Sequence, residues 1–61
     1  NLPHEETYLG FDICIEPNQD QYREGFYWSV SRDDEEHDCG LDFEAQQALE
    51  AAYKAIEKLI S

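Results

Sequence analysis

The chain carries two cysteines, two histidines and fifteen carboxylates. His37 and Cys39 are alternate residues of an extended stretch, so they share one face and could together approach a zinc ion. A structural zinc site wants four ligands at recognisable spacing, and His4 and Cys14 lie far off in the sequence. A Cys–His nucleophile would need Cys14 near His4 or His37, an orienting third group and an oxyanion hole. The spacing supplies none of these. Carboxylate pairs are expected by chance in so acidic a chain, and the three glycines are scattered, so no phosphate-cradling loop exists. The expectation is a non-enzymatic protein with no metal site and no cofactor.

The acidic run Asp33-Asp34-Glu35-Glu36, followed by His37 and Asp38, admits two readings. It is a solvated hairpin tip whose charges discourage pairing at a sheet edge, or it meets Lys and Arg side chains of a partner. The spacing is not that of an EF-hand, so no calcium motif supports a cation there.

These residues must be held by a small set of elements. Residues 1–6 are polar, contain Pro3 and read as a flexible arm. Residues 7–61 read as one domain. Over 7–16 the chain alternates: Leu9, Phe11, Ile13 and Ile15 fall on one face, and Tyr8, Asp12, Cys14 and Glu16 on the other. That is the period-2 pattern of a half-buried strand. Pro17 ends it, since it lacks a ladder N–H, and residues 17–21 read as a loop. The second strand is 22–32, with Phe26, Trp28 and Val30 inward, Tyr27, Ser29 and Ser31 outward, and a bulge marked by Gly25. Residues 33–36 read as a turn. A short third strand, 37–42, points Cys39 and Leu41 inward, and Phe43 continues that side. Cys14 and Cys39 then lie on opposite faces, so no internal disulfide is expected. Residues 43–60 form the helix. Ala45, Ala48, Leu49, Ala52, Ile56, Leu59 and Ile60 follow helical spacing, five alanines raise its propensity, and Asp42 reads as the N-cap, with Glu44 and Gln47 as an alternative box.

The expected fold is α+β: a three-stranded antiparallel meander (7–16, 22–32, 37–42) with the 43–60 helix packed on one face. Nothing else in the chain can cover the second face, which this reading furnishes with Tyr8, Asp12, Cys14, Tyr27, Ser29, Asp38 and Asp42. Tyr8 and Tyr27 there read either as interface anchors ringed by acids or as a cross-strand tyrosine pair on a solvated sheet. Trp28 reads as core. The candidate partner-binding set is Tyr8, Asp12, Glu16, Tyr27, Asp33, Asp34, Glu35, Glu36, Asp38 and Asp42.

The run Gln47-Ala48-Leu49-Glu50-Ala51-Ala52-Tyr53-Lys54-Ala55-Ile56, set after a strand containing Tyr27-Trp28-Ser29-Val30, resembles the alanine-rich helix of HicB-like antitoxin N-terminal domains. Of that family's Pro-Gly-Cys segment only Cys39-Gly40 is echoed here. The resemblance implies a related fold and an acidic domain that masks a basic, RNase-like partner. It carries over no catalytic residue.

Sixty-one residues with a formal charge of −11 bound the function classes. So short a chain buries only about 60 % of its unfolded surface. The charge opposes direct nucleic-acid binding, because phosphates would be repelled, and opposes anionic membrane surfaces likewise. No run reaches the length of a membrane span, and no secretory leader pattern is visible. Two free thiols suit a reducing compartment, so the cytoplasm is expected. The charge is uneven: residues 1–42 hold twelve acids and two bases, residues 43–61 three acids and two bases. The sheet half therefore generates the field. The leading expectation is an acidic protein-binding module, monomeric or weakly dimeric, that inhibits a basic partner by imitating nucleic acid. The alternatives are an oligomerisation domain of a larger assembly and a halophile-type domain whose acids serve solvation.

Overall fold

A computed structural model describes residues 4–18 and 25–61. These residues form four strands and one helix, in the order β1 (His4–Tyr8), β2 (Phe11–Pro17), β3 (Phe26–Arg32), β4 (Glu35–Asp42) and α1 (Ala45–Ile60). The strands make one antiparallel meander, β1-β2-β3-β4. The α+β class and the C-terminal helix match the expectation, but the sheet has four strands instead of three. Residues 4–6 of the expected arm belong to β1; residues 1–3 lie outside the described residues. So do 19–24, which include most of the expected 17–21 loop and the start of the expected 22–32 strand.

The extra strand arises from a turn inside the alternating stretch. Leu9 and Gly10 sit at φ 51° and 86°, a two-residue reversal with positive φ at both positions. That geometry matches the natural twist of two antiparallel strands. Tyr8 then lies directly opposite Phe11, Glu6 opposite Ile13 and His4 opposite Ile15. Directly opposed residues share a face, so Tyr8 points to the helix side with Phe11, not outward. Leu9 is spent on the turn and is 53 % exposed. A second reversal of the same kind stands at Asp33-Asp34, with φ 55° and 66°. Glu35 and Glu36, expected in that turn, belong to β4.

β4 contains the other departure. Val30 faces Asp38 while Ser31 faces Glu36, which leaves His37 as the extra residue of a bulge. A bulge resets the side-chain alternation beyond it. Cys39 and Leu41 therefore fall on the outer face, opposite Ser29 and Tyr27, while Gly40 and Asp42 fall on the helix side, opposite Trp28 and Phe26. This reverses the expected parity of 38–42. Gly25 is no strand bulge: it precedes β3 at φ 129°, accepts a hydrogen bond from Asn18 N at 2.9 Å, and its missing Cβ would stand 2.5 Å from Asp42 O.

The core lies between the sheet and α1. Phe11, Ile13, Ile15, Trp28 and Val30 from the sheet meet Ala48, Ala52, Ala55 and Ile56 from the helix. The inward residues of β2 and β3 agree with the alternation in the sequence. The small alanines let the helix axis come close to the large sheet side chains, and each buried Ile or Val contributes about 1.5–3 kcal/mol. Ala45, Leu59 and Ile60, expected inward, are exposed. Phe43 is 77 % exposed, because the chain leaves β4 there and turns into the helix. The N-cap position is Glu44, which makes no side-chain cap hydrogen bond. Asp42 is committed elsewhere, accepting from Trp28 Nε1 at 3.2 Å. No helix among the described residues is long and apolar enough to cross a membrane.

Candidate functional site

The helix covers one face of the sheet. No described element covers the other face, and register shows what it carries. One row across the strands is Thr7, Asp12, Ser31 and Glu36; the next is Glu5, Cys14, Ser29 and Cys39; the third is Glu16, Tyr27 and Leu41. Among the described residues, four carboxylates thus occupy this face: Glu5, Asp12, Glu16 and Glu36. Among the described residues no cationic side chain shares it. Arg32 lies over the Phe11 ring at 5.3 Å on the helix side, and Lys54 and Lys58 belong to α1.

Tyr27 stands in the third row, towards the Pro17 end of the face, between Glu16 and Leu41 and on the opposite side of β3 from buried Trp28. A hydrogen bond with the Cys39 thiol, then partial burial, then the nearby Cys39, Glu36 and Glu16 groups push its phenol up to about 12. It therefore presents a neutral hydroxyl over the whole neutral range, beside a ring available for contact. At the β1–β2 side the face dips into an open concavity of about 560 Å³, lined by Glu5, Thr7, Asp12, Cys14 and Ser31 among others. Burial first, then the Glu16 and Glu5 carboxylates, push the Cys14 thiol up. It stays protonated at neutral pH and is a poor nucleophile.

The expected partner-binding residues separate into groups. Asp12, Glu16, Tyr27 and Glu36 come together on the open face. Asp33 and Asp34 form the hairpin tip, and Glu35 pairs with Arg32 in the ladder beside it. Asp38 falls on the helix side of the bulge, where Oδ1 accepts the Cys39 backbone N–H at 2.8 Å. Asp42 is bound to Trp28. Tyr8 leaves the set altogether. Its ring packs against Tyr53 at 4.6 Å between centroids, and its hydroxyl donates to Glu57 Oε2 at 2.8 Å. The tyrosine pair on an open sheet therefore does not form: Tyr8 and Tyr27 lie on opposite faces.

Beside Tyr8, the Tyr53 hydroxyl donates to Glu6 Oε2 and His4 Nε2 to Glu6 Oε1 at 2.8 Å. The Tyr53 and His4 hydrogen bonds hold the Glu6 carboxyl below its usual range, while Glu57 pushes the Tyr8 phenol up. These contacts tie β1 to α1. Glu5 and Thr7, read from sequence as an arm and its boundary, enter the open face only because β1 is a strand. The sign of it in the sequence was Gly10, the residue a two-residue reversal requires at positive φ.

The chemistry read from spacing is dismantled by the bulge. His37 packs edge-on to Phe11 at 5.7 Å on the helix side, while Cys39 is exposed on the outer face. No group of three or more His, Cys, Asp or Glu among the described residues is placed to hold a metal ion. Both thiols are free, for a reason other than the expected one. Cys14 and Cys39 share a face but lie on β2 and β4, so β3 separates them. Two strand spacings are about 9.6 Å, beyond the roughly 7 Å that a disulfide spans between Cα atoms.

Comparison with protein-family models, with characterised proteins and with solved structures finds no match to this chain.

Proposed function

We propose that this chain is a non-enzymatic acidic binding module that masks a cationic, nucleic-acid-binding surface of a protein partner. One observation carries the reading: the sheet face away from the helix holds Glu5, Asp12, Glu16 and Glu36 together with Tyr27, with no cation among its described residues. Asp12 and Glu36 share a row two strands apart, about 9.6 Å at the backbone, and Glu5 and Glu16 stand in the two rows beyond. That spacing offers a basic surface a field of fixed anions in place of phosphates. Tyr27 supplies a rigid amphipathic anchor beside Glu16, the residue type that dominates many interfaces. The Asp33-Asp34 tip extends the acidic surface at the end of the sheet. The family resemblance of the helix and the Tyr27-Trp28-Ser29-Val30 strand supports the same role, an antitoxin-like domain set against a basic enzyme.

The test is affinity capture from host lysate in low salt, followed by stepwise salt elution. Partners with a basic nucleic-acid-binding surface should elute as ionic strength rises, because exposed ionic contacts are screened once the Debye length falls to about 8 Å. Loss of capture on Tyr27→Ala with Glu16→Gln, in a protein that still folds, is the expected companion result. A partner retained equally from low to molar salt refutes the reading.

A further inference from the structure

The sheet ends in two edges, β1 and β4, and they differ in what they offer another chain. In a two-residue hairpin the residues flanking the turn exchange both backbone hydrogen bonds, and the next pair does not. Tyr8, Glu6 and His4 therefore bond inward to β2, and the N–H and C=O groups of Glu5 and Thr7 face away from the sheet. At the other edge the same rule turns Glu36 outward, the bulge at His37 and Asp38 interrupts the row, and Cys39 faces out beyond it. The Asp38 carboxylate accepts that Cys39 N–H at 2.8 Å. A bulge and an engaged N–H are devices that close an edge to strand addition. β1 has neither. It is also held in place as a template, since Glu6 and Tyr8 are hydrogen-bonded to Tyr53 and Glu57 of the helix.

We infer that β1 is the docking edge of this protein, and that it accepts a basic β-strand of the partner whose alternate Arg or Lys side chains lie over Glu5 and Asp12. This rests on the acidic-face reading and adds the partner's backbone conformation and the edge it uses. Charge complementarity selects the occupant. A strand added to β1 places every second side chain on the open face, beside Glu5 and above the concavity that Asp12, Thr7 and Ser31 line. Those groups are anions and hydroxyl acceptors, which suit the five fixed donors of a guanidinium. A second copy of this chain would bring another −11 to the same edge and is disfavoured. Strand addition draws its affinity from main-chain hydrogen bonds and its specificity from alternate side chains.

The probe is a seven-residue peptide of alternating Arg and Val, added to the full chain in low salt and followed by amide hydrogen exchange in two-dimensional NMR. At a peptide concentration of ten times Kd, the free fraction leaves exchange at Glu5 and Thr7 slowed about tenfold, with Leu41 and Cys39 on β4 unchanged. Thr7→Pro removes one outward N–H at a site where an edge strand tolerates proline. It should weaken the peptide about tenfold, near the value of one ladder hydrogen bond. Peptide binding that shifts open-face signals while Glu5 and Thr7 exchange at their free rates overturns the edge assignment but leaves the acidic-face reading standing. Protection on β4 in place of β1 overturns it as well. Absence of any binding in low salt overturns both.

Discussion

Gly40→Ala separates tertiary packing from local propensity, because the two predict opposite signs. Gly40 lies in β4 opposite Trp28, and the indole rests on it. A Cβ built there would stand 2.6 Å from Nε1 and 2.7 Å from Cε2 and Cζ2. If nothing lay above the glycine, alanine would stabilise the strand by about 0.5–1 kcal/mol through reduced unfolded-state entropy. With the indole in place the ring must move. It is 7 % exposed, wedged in the core and hydrogen-bonded to Asp42 Oδ2 at 3.2 Å. Overpacking costs roughly 1–3 kcal/mol, and loss of the Asp42 bond about 1 kcal/mol. Net destabilisation of about 1–3 kcal/mol remains after the propensity gain. A domain of this length has a total stability of only roughly 3–9 kcal/mol. At about 4–8 °C per kcal/mol, the melting temperature should fall by about 5–20 °C. The assay is urea and thermal unfolding by far-UV circular dichroism, with fluorescence of Trp28, the single tryptophan, reporting its burial. The cycle with Trp28→Leu is decisive: removing the indole should return much of the cost of Gly40→Ala, a coupling above about 1 kcal/mol. An alanine variant as stable as the parent, with unshifted emission, would refute the packing of Trp28 on Gly40.

Leu9→Asn should stabilise the protein by about 0.5–1 kcal/mol in thermal unfolding, since a leucine at positive φ costs roughly 1–2 kcal/mol and Leu9 is exposed; a loss of stability would mean the reversal does not sit at Leu9-Gly10. Tyr53→Phe removes one donor from Glu6, so the Glu6 carboxyl, held low in the folded protein, should titrate higher by NMR. A lowered carboxyl favours folding above its unfolded pKa and loses that contribution as pH falls through the folded value, so the variant should lose less stability between neutral and acid pH. Tyr27, raised to about 12, favours folding below its ordinary value near 10 and loses that contribution between about 10 and 12. Cys39→Ala should bring its ultraviolet ionisation midpoint down towards 10; an unmoved midpoint would break the Tyr27–Cys39 contact. Raising salt from about 0.01 to 0.15 M shortens the Debye length from about 30 to 8 Å. The molecule measures 35 × 19 × 16 Å, so its self-repulsion should be screened and its melting temperature should rise. Failure to fold at all in dilute buffer would favour the halophile-type alternative.

The helix and the inward faces of β2 and β3 were legible in the sequence because burial there is one-sided and apolar. Phe11, Ile13 and Ile15 alternate with polar residues, Trp28 and Val30 do the same, and Ala48, Ala52 and Ile56 recur at helical spacing. Each pattern is local and needs no knowledge of its partner. Tyr27 on the open face followed from the same alternation. What tertiary structure decided are the places where alternation is continuous but the chain is not. Leu9 keeps the period-2 pattern from Tyr8 into β2, yet the chain reverses there. The inward side of β1 is His4, Glu6 and Tyr8, of which Glu6 and Tyr8 find Tyr53 and Glu57 on a helix more than forty positions away, so no hydrophobic signal marked the strand. The bulge at His37 depends on how β4 meets β3, and it moved Cys39 and Leu41 outward and Asp42 inward. Composition alone determined the acidity of this protein; a turn and a bulge, both settled by strand pairing, decided which carboxylates share a surface.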